Sequence, residues 1–119
     1  FDLVIDRCSL VCVGNNDQKK AINETRRVLR QGGSFLHNIY GKNHSSYLSG
    51  EEDKDGLTSN IVNGTLVDNG KLCFSSRSDI FEKFKIGWKL KQIERRENTE
   101  ILNSNNNIHE EWVVIAQKT

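Results

Sequence analysis

The chain has 119 residues, with 17 Lys and Arg against 16 Asp and Glu and a net charge of +1. That length allows one domain at most and lets roughly two thirds of the unfolded surface be buried around one core. The near balance of charge argues against a nucleic-acid module, which carries a basic excess on one face. No apolar run approaches the ~20 residues that span a bilayer, and the first residues do not read as a signal peptide, so no membrane partner is expected. The three cysteines, Cys8, Cys12 and Cys73, are odd in number and irregularly spaced. They read as reduced thiols of a cytoplasmic protein rather than a disulfide framework. Cys8 and Cys12 are four apart, but no nearby His or Cys completes a set of ligands, so no metal is expected. The chain has no methionine and opens inside an apolar run. The expectation is a piece of a longer protein whose missing part lies on the N-terminal side.

The first element is Leu3-Val4-Ile5 followed by Asp6-Arg7-Cys8-Ser9. A short unbroken apolar run predicts a strand buried on both faces, with the polar residues at its carboxyl end. In open α/β sheets ligands bind outside the carboxyl ends of strands. Asp17 is a good helix N-cap, and Ala21, Ile22, Thr25, Val28 and Leu29 recur at helical spacing over Gln18 to Arg30. Arg26, Arg27 and Arg30 crowd the last turns, as the helix dipole favours, and read as a solvated face. Gly32-Gly33 ends the helix, one Gly free to take the left-handed cap. Ser34 to Tyr40 reads as the next strand, giving a βαβ unit with parallel strands. His37 within it reads as a satisfied core or second-layer histidine.

Residues 41–77 form a long polar stretch, a loop or small insertion leaving the ligand side of the sheet. Within it, Thr58 to Val62 and Lys71 to Phe74 are expected to pair as short strands. His44, Ser45, Ser46 and Tyr47 are its most chemically capable cluster: an imidazole, hydroxyls and a phenol can orient a substrate or move a proton. Ser78, or Ser75-Ser76, caps a helix carrying Ile80, Phe81 and Phe84. Trp88 to Arg96 and Glu111 to Gln117 read as strands joined by a polar hairpin loop, Asn103 to Asn107, the last strand being central.

Two stretches carry a resemblance: Phe1-Asp2-Leu3-Val4-Ile5-Asp6-Arg7, and Glu24-Thr25-Arg26-Arg27-Val28-Leu29-Arg30-Gln31-Gly32-Gly33-Ser34-Phe35. The second resembles the E-x-x-R-V-L-x-x-G-G-x-F signature of class I S-adenosylmethionine-dependent methyltransferases, with Gln31 where Pro is usual. Gly64-Thr65-Leu66, Gly70, Phe74, Ser78-Asp79-Ile80-Phe81 and Gly87-Trp88 look like the linker and penultimate helix of a bacterial subgroup. The resemblance covers essentially the whole chain as the C-terminal half of the domain. It implies an α/β fold: part of a Rossmann-like seven-stranded sheet, strands 4-5-7-6 with the last strand antiparallel, flanked by helices. It implies S-adenosylmethionine as cofactor, with Asp6, Arg7, Cys8 and Ser9 as a cofactor-facing wall. The glycine turn, the ribose-binding acid and the adenine-binding segment would all precede Phe1.

Enzymes of this family that methylate amino groups of bases or glutamine commonly carry Asn or Asp, then Pro-Pro and an aromatic, where this chain has Asp6-Arg7-Cys8-Ser9. The departure favours a small-molecule acceptor. The resulting reading is methyl transfer to a small molecule, as part of a longer chain, with His44 and Tyr47 as candidate catalytic proton acceptors. The partner expected along the first strand is the missing N-terminal half or a second copy. The rivals are a non-catalytic α/β interaction module that binds no cofactor and a nucleotide-binding oxidoreductase. The terminal antiparallel hairpin argues against the latter.

Overall fold

In the computed structural model, residues 1–102 and 106–119 are described; the first part of the expected polar hairpin loop, 103–105, lies outside them. The chain opens with strand β1 (Leu3–Arg7), a short 3-10 turn (Leu10–Cys12), helix α1 (Asn15–Val28) and strand β2 (Ser34–Gly41). β1 and β2 are parallel, Leu3 facing Ser34 and Arg7 facing Asn38. Helix α1 starts earlier than the cap argument predicts. Gly14 is the N-cap and Asp17 lies in the first turn, where a negative charge still favours the dipole. Gly32 takes the expected left-handed conformation, φ +77°.

The stretch 41–77 is built rather than bare. It holds helix α2 (Ser45–Leu48) and strands β3 (Glu51–Glu52), β4 (Leu57–Ser59) and β5 (Leu72–Ser75). β4 pairs antiparallel with both β3 and β5. β5 joins the main sheet through a short parallel pairing with the end of β2, at Tyr40 and Gly41. Helix α3 (Arg77–Lys83) follows, capped by Ser76 in a full capping box with Asp79. Strands β6 (Trp88–Thr99) and β7 (Ile108–Lys118) then form a long antiparallel hairpin. β7 lies antiparallel against β2. The main sheet therefore reads β1-β2-β7-β6, the order the resemblance implies, with β7 as the central antiparallel strand.

The core lies between this sheet and helices α1 and α3. Ile22, Phe35, Ile39, Ile80, Val114 and Ala116 are buried there. The rings of Phe35, Phe84 and Trp88 sit 5.5–6.1 Å apart at its centre. The opposite sheet face is more open, and β1 corrects the expectation of a strand buried on both faces. Leu3 is 53% and Ile5 60% exposed, because among the described residues β1 pairs only with β2 and stands at the sheet edge. Arg26 also departs from the solvated-face reading: it is half-buried and donates to the carbonyls of Gly87 and Thr119, both at 2.9 Å, tying α1 to the chain end. Arg27 pairs with Glu24, and Arg30 with Asp2, as surface ion pairs.

Candidate functional site

The carboxyl ends of β1 and β2 lie side by side, and two groups of polar residues gather there. The first is at the end of β1. Asp6 is buried; its carboxylate accepts from the Ser9 backbone N–H at 2.9 Å and from the Ser9 hydroxyl. Its other oxygen faces His37 Nδ1 at 2.7 Å. Burial raises the Asp6 pKa, but the bonds from His37 and Ser9 outweigh this and hold it below the ordinary value. Asp6 is thus turned inward, whereas Arg7 and Ser9 are exposed. His37 is fully buried, with no partner on Nε2 among the described residues. Cys8 turns the chain at φ +56°, its N–H bonding the Asn38 carbonyl at 2.9 Å. Burial, with the Glu111 charge, pushes the Cys8 thiol up to about 11.

The second group links α2, the segment after Gly64, and β7. The His44 ring is fully buried and caps α2: its Nδ1 accepts from the Ser46 backbone N–H at 3.0 Å. Nε2 of His44 lies 3.0 Å from Nδ1 of His109. Thr65 Oγ1 stands 2.5 Å from His109 Nδ1 and 3.3 Å from His44 Nε2. The other side of His109 meets Glu111, Nε2 to Oε2 2.7 Å. Glu111 Oε1 accepts from Asn38 Nδ2 at 2.9 Å. Tyr40 presents its ring edge-on to both histidines, at centroid distances of 5.7–5.8 Å.

These bonds assign the protons. The Ser46 N–H occupies His44 Nδ1, so neutral His44 carries its proton on Nε2 and donates. His109 faces a carboxylate with Nε2, so its proton sits there and Nδ1 is left as an acceptor, approached by His44 Nε2 and the Thr65 hydroxyl. Burial, then the neighbouring His109, lowers the His44 pKa to about 4, which keeps this ring neutral. Burial raises the Glu111 pKa, but the bonds from Asn38 and His109 prevail, so its carboxylate stays ionised below its usual range. Burial and the nearby Cys8 and Glu111 push Tyr40 up to about 12.

Local sequence explains why these groups meet. His109 and Glu111 alternate on β7 and so share one face. Thr65 is delivered by the turn at Gly64, φ +87°, where a Cβ would lie 2.4 Å from Ser46 Oγ. Ser46 pins that turn, its hydroxyl bonding the Asn63 carbonyl at 2.9 Å and receiving the Leu66 N–H at 3.1 Å. The structure brings His44 into this network and directs Tyr47 elsewhere: its hydroxyl donates to Glu52 at 2.6 Å, beside Lys42. Sequence reading missed Thr65, Asn38, His109 and Glu111. The i, i+2 spacing of His109 and Glu111 was the available signal.

Two cavities flank the network. One, of about 300 Å³, is lined by Gly64, Thr65, Asn98 and His109, with Glu100 and Asn107. The other, of about 420 Å³, lies at the end of β1 and is lined by Arg7, Asn38, Arg96, Asn98, Glu111 and apolar neighbours. Asn98 borders both.

The chain is similar to a methyltransferase dependent on S-adenosylmethionine from Methanosarcina mazei, with a TM-score of 0.75 at 15% identity over 99% of this chain and 59% of that one. It is also similar to the 1,6-didemethyltoxoflavin N1-methyltransferase of Burkholderia thailandensis, solved with that substrate and S-adenosylhomocysteine; the TM-score is 0.64 at 16% identity, over 100% of this chain and 44% of that one. A third similar structure is an S-adenosylmethionine-dependent methyltransferase from Anabaena variabilis, TM-score 0.61 at 11% identity, over 97% and 48% of the two chains. The chain thus has the α/β fold of S-adenosylmethionine-dependent methyltransferases and spans 44–59% of the length of these three. No protein-family model matches it, and neither does any curated protein.

Proposed function

We propose that these residues form the C-terminal part of a methyltransferase domain that passes a methyl group from S-adenosylmethionine to a small-molecule acceptor. The observation carrying this reading is the fold match over 99% of the chain, with the sheet order β1-β2-β7-β6. The neighbour that acts on didemethyltoxoflavin supports an acceptor of small-molecule size.

The residues present fit one side of the cofactor. The cavity at the end of β1 carries Arg7 and Arg96 together with Glu111, both signs of charge, which suits a zwitterion bearing a sulfonium. Of the expected cofactor wall, Arg7 lines this cavity, Cys8 and Ser9 follow it in the chain, and Asp6 holds Ser9 from behind. When bound, the cofactor supplies an activated methyl on a good leaving group. The protein's share is then alignment of the acceptor and a destination for its proton. His44 belongs to the acceptor side in this reading and, neutral and buried, acts as a donor that holds its neighbours; Tyr47, its hydroxyl committed to Glu52, stands apart from it. The remainder of the domain, or a second copy, covers the open edge of β1.

The test is formation of S-adenosylhomocysteine by the full-length protein, given labelled S-adenosylmethionine and a set of small phenols, amines and carboxylic acids. Acceptor-dependent product supports the reading. No binding of the cofactor points to the interaction module instead, and tight binding without turnover on any acceptor offered counts against a small-molecule acceptor.

A further inference from the structure

We infer that Glu111, His109 and Thr65 form a proton relay that receives the proton of a hydroxyl-bearing acceptor, a phenol or enol, seated in the cavity beside Thr65. This inference rests on the methyl-transfer reading and deepens it by naming the acceptor class and the base. His109 Nδ1 carries the one imidazole lone pair of the two histidines that no backbone N–H holds; the His44 Nε2–H approaches it at 3.0 Å. Thr65 Oγ1, 2.5 Å away, donates to that lone pair. The single His44 Nε2–H is shared between His109 Nδ1 at 3.0 Å and the Thr65 oxygen at 3.3 Å. One Thr65 lone pair then remains for an incoming hydroxyl. Glu111 orients His109 and stabilises the imidazolium that forms, itself fixed by Asn38. Carboxylate, imidazole and hydroxyl therefore line up with one another and end at a cavity wall.

The cavity of about 300 Å³ is at the small end for ligand sites and matches a single ring. Its walls are mostly apolar in surface, with polar groups supplied by Thr65, Asn98 and His109. Glu111 borders the other cavity, at the end of β1, so the relay spans the wall between the acceptor side and the cofactor side. A phenol or enol must lose a proton to become a competent nucleophile, and an imidazole is matched to that task near neutral pH. A carboxylate or thiolate arrives already charged and has no use for the relay. In the step, the acceptor oxygen forms its bond to the methyl carbon while the bond from that carbon to sulfur breaks, its electron pair staying on sulfur. The acceptor proton passes to Thr65 Oγ1 as the Thr65 proton passes to His109 Nδ1.

The titratable groups around His109 include His44 before α2, Tyr40 on β2, Glu111 on β7 and Glu100, which lines the same cavity; Arg96 of β6 acts on Glu111. The test needs no cofactor, so its failure is separate from failure of methyl transfer. The probe is para-nitrophenol, whose ionised form absorbs visible light, with para-nitroanisole as the analogue that has no proton to give. At fixed, mildly acidic pH, the protein is expected to raise the ionised fraction of the phenol several-fold. Long-range proton–nitrogen NMR should show His109 Nδ1 becoming protonated with the phenol and not with the anisole. Thr65→Ser should keep the effect; Thr65→Val and His109→Gln should abolish it, and Glu111→Gln should reduce it. Equal ionisation by the native protein and His109→Gln would overturn the relay. So would millimolar phenol that leaves the His109 and Thr65 resonances unmoved.

Discussion

His44 makes stability depend on pH in a window where few other groups titrate. Its ordinary value of 6.5 falls to about 4 in the folded chain, through burial first and His109 second. The unfolded chain therefore takes up a proton between these values and the folded chain does not. Stability is fully present above about pH 6.5, declines as pH falls, and this contribution is gone below about pH 4. The fall from 6.5 to about 4 corresponds to about 3 kcal/mol, of which about 2 kcal/mol is lost by about pH 5. Asp6, Asp79 and Glu111 are also held low, but as carboxylates they act mainly below that pH. The perturbation is His44→Asn. Asn is a good N-cap, so its side-chain oxygen can take the Ser46 N–H, and it does not titrate. Loss of the ring contacts with Tyr40 and Phe74 gives a pH-independent cost of about 1–3 kcal/mol. Urea unfolding measured from about pH 7 to about pH 5 should show a loss of about 2 kcal/mol in the native protein and a much flatter profile in the variant. Parallel profiles for the two proteins would refute the claim that this imidazole is kept neutral by burial.

Ser76→Ala should cost about 1 kcal/mol in urea unfolding, because it removes one arm of the α3 capping box. Phe35→Ala, at the fully buried centre of the ring cluster, should cost about 3–5 kcal/mol in the same assay. Gly64→Ala should destabilise the fold, since φ +87° disfavours a side chain and the new Cβ would press on Ser46; NMR should show Thr65 displaced from His109. At the edge, β1 has no neighbour opposite β2 among the described residues, and exposed apolar edges recruit strands. In a monomer the outward amides of Leu3 to Ile5 should exchange rapidly with solvent. A monodisperse monomer with all of them strongly protected would contradict that.

The main sheet was legible because its signals are local. Apolar runs marked β1, β2 and β7; helical spacing and the double glycine marked α1; and the antiparallel ending followed from two strands around a short polar loop. Burial of β1 was misjudged because an apolar run looks the same at an edge as in the centre, and only pairing distinguishes them. Arg26 was misread for a related reason: the carbonyls it holds are distant in sequence. Of the site, His44 was visible as a histidine in a polar stretch on the ligand side. Thr65, His109 and Glu111 were not, since they lie 21–67 residues from His44 and meet only through the β7 pairing and the turn at Gly64. Asp6 stood at the expected strand end, but its inward turn depends on His37, which reaches it from β2.

The most direct test of the central claim, that this fold supports methyl transfer to a hydroxyl acceptor, is production of S-adenosylhomocysteine by the full-length protein with labelled S-adenosylmethionine and a phenol. The native protein should form labelled methyl ether in step with S-adenosylhomocysteine, with turnover falling steeply in His109→Gln and cofactor affinity little changed. Cofactor bound by the native protein with no methyl ether formed from any phenol offered would contradict it.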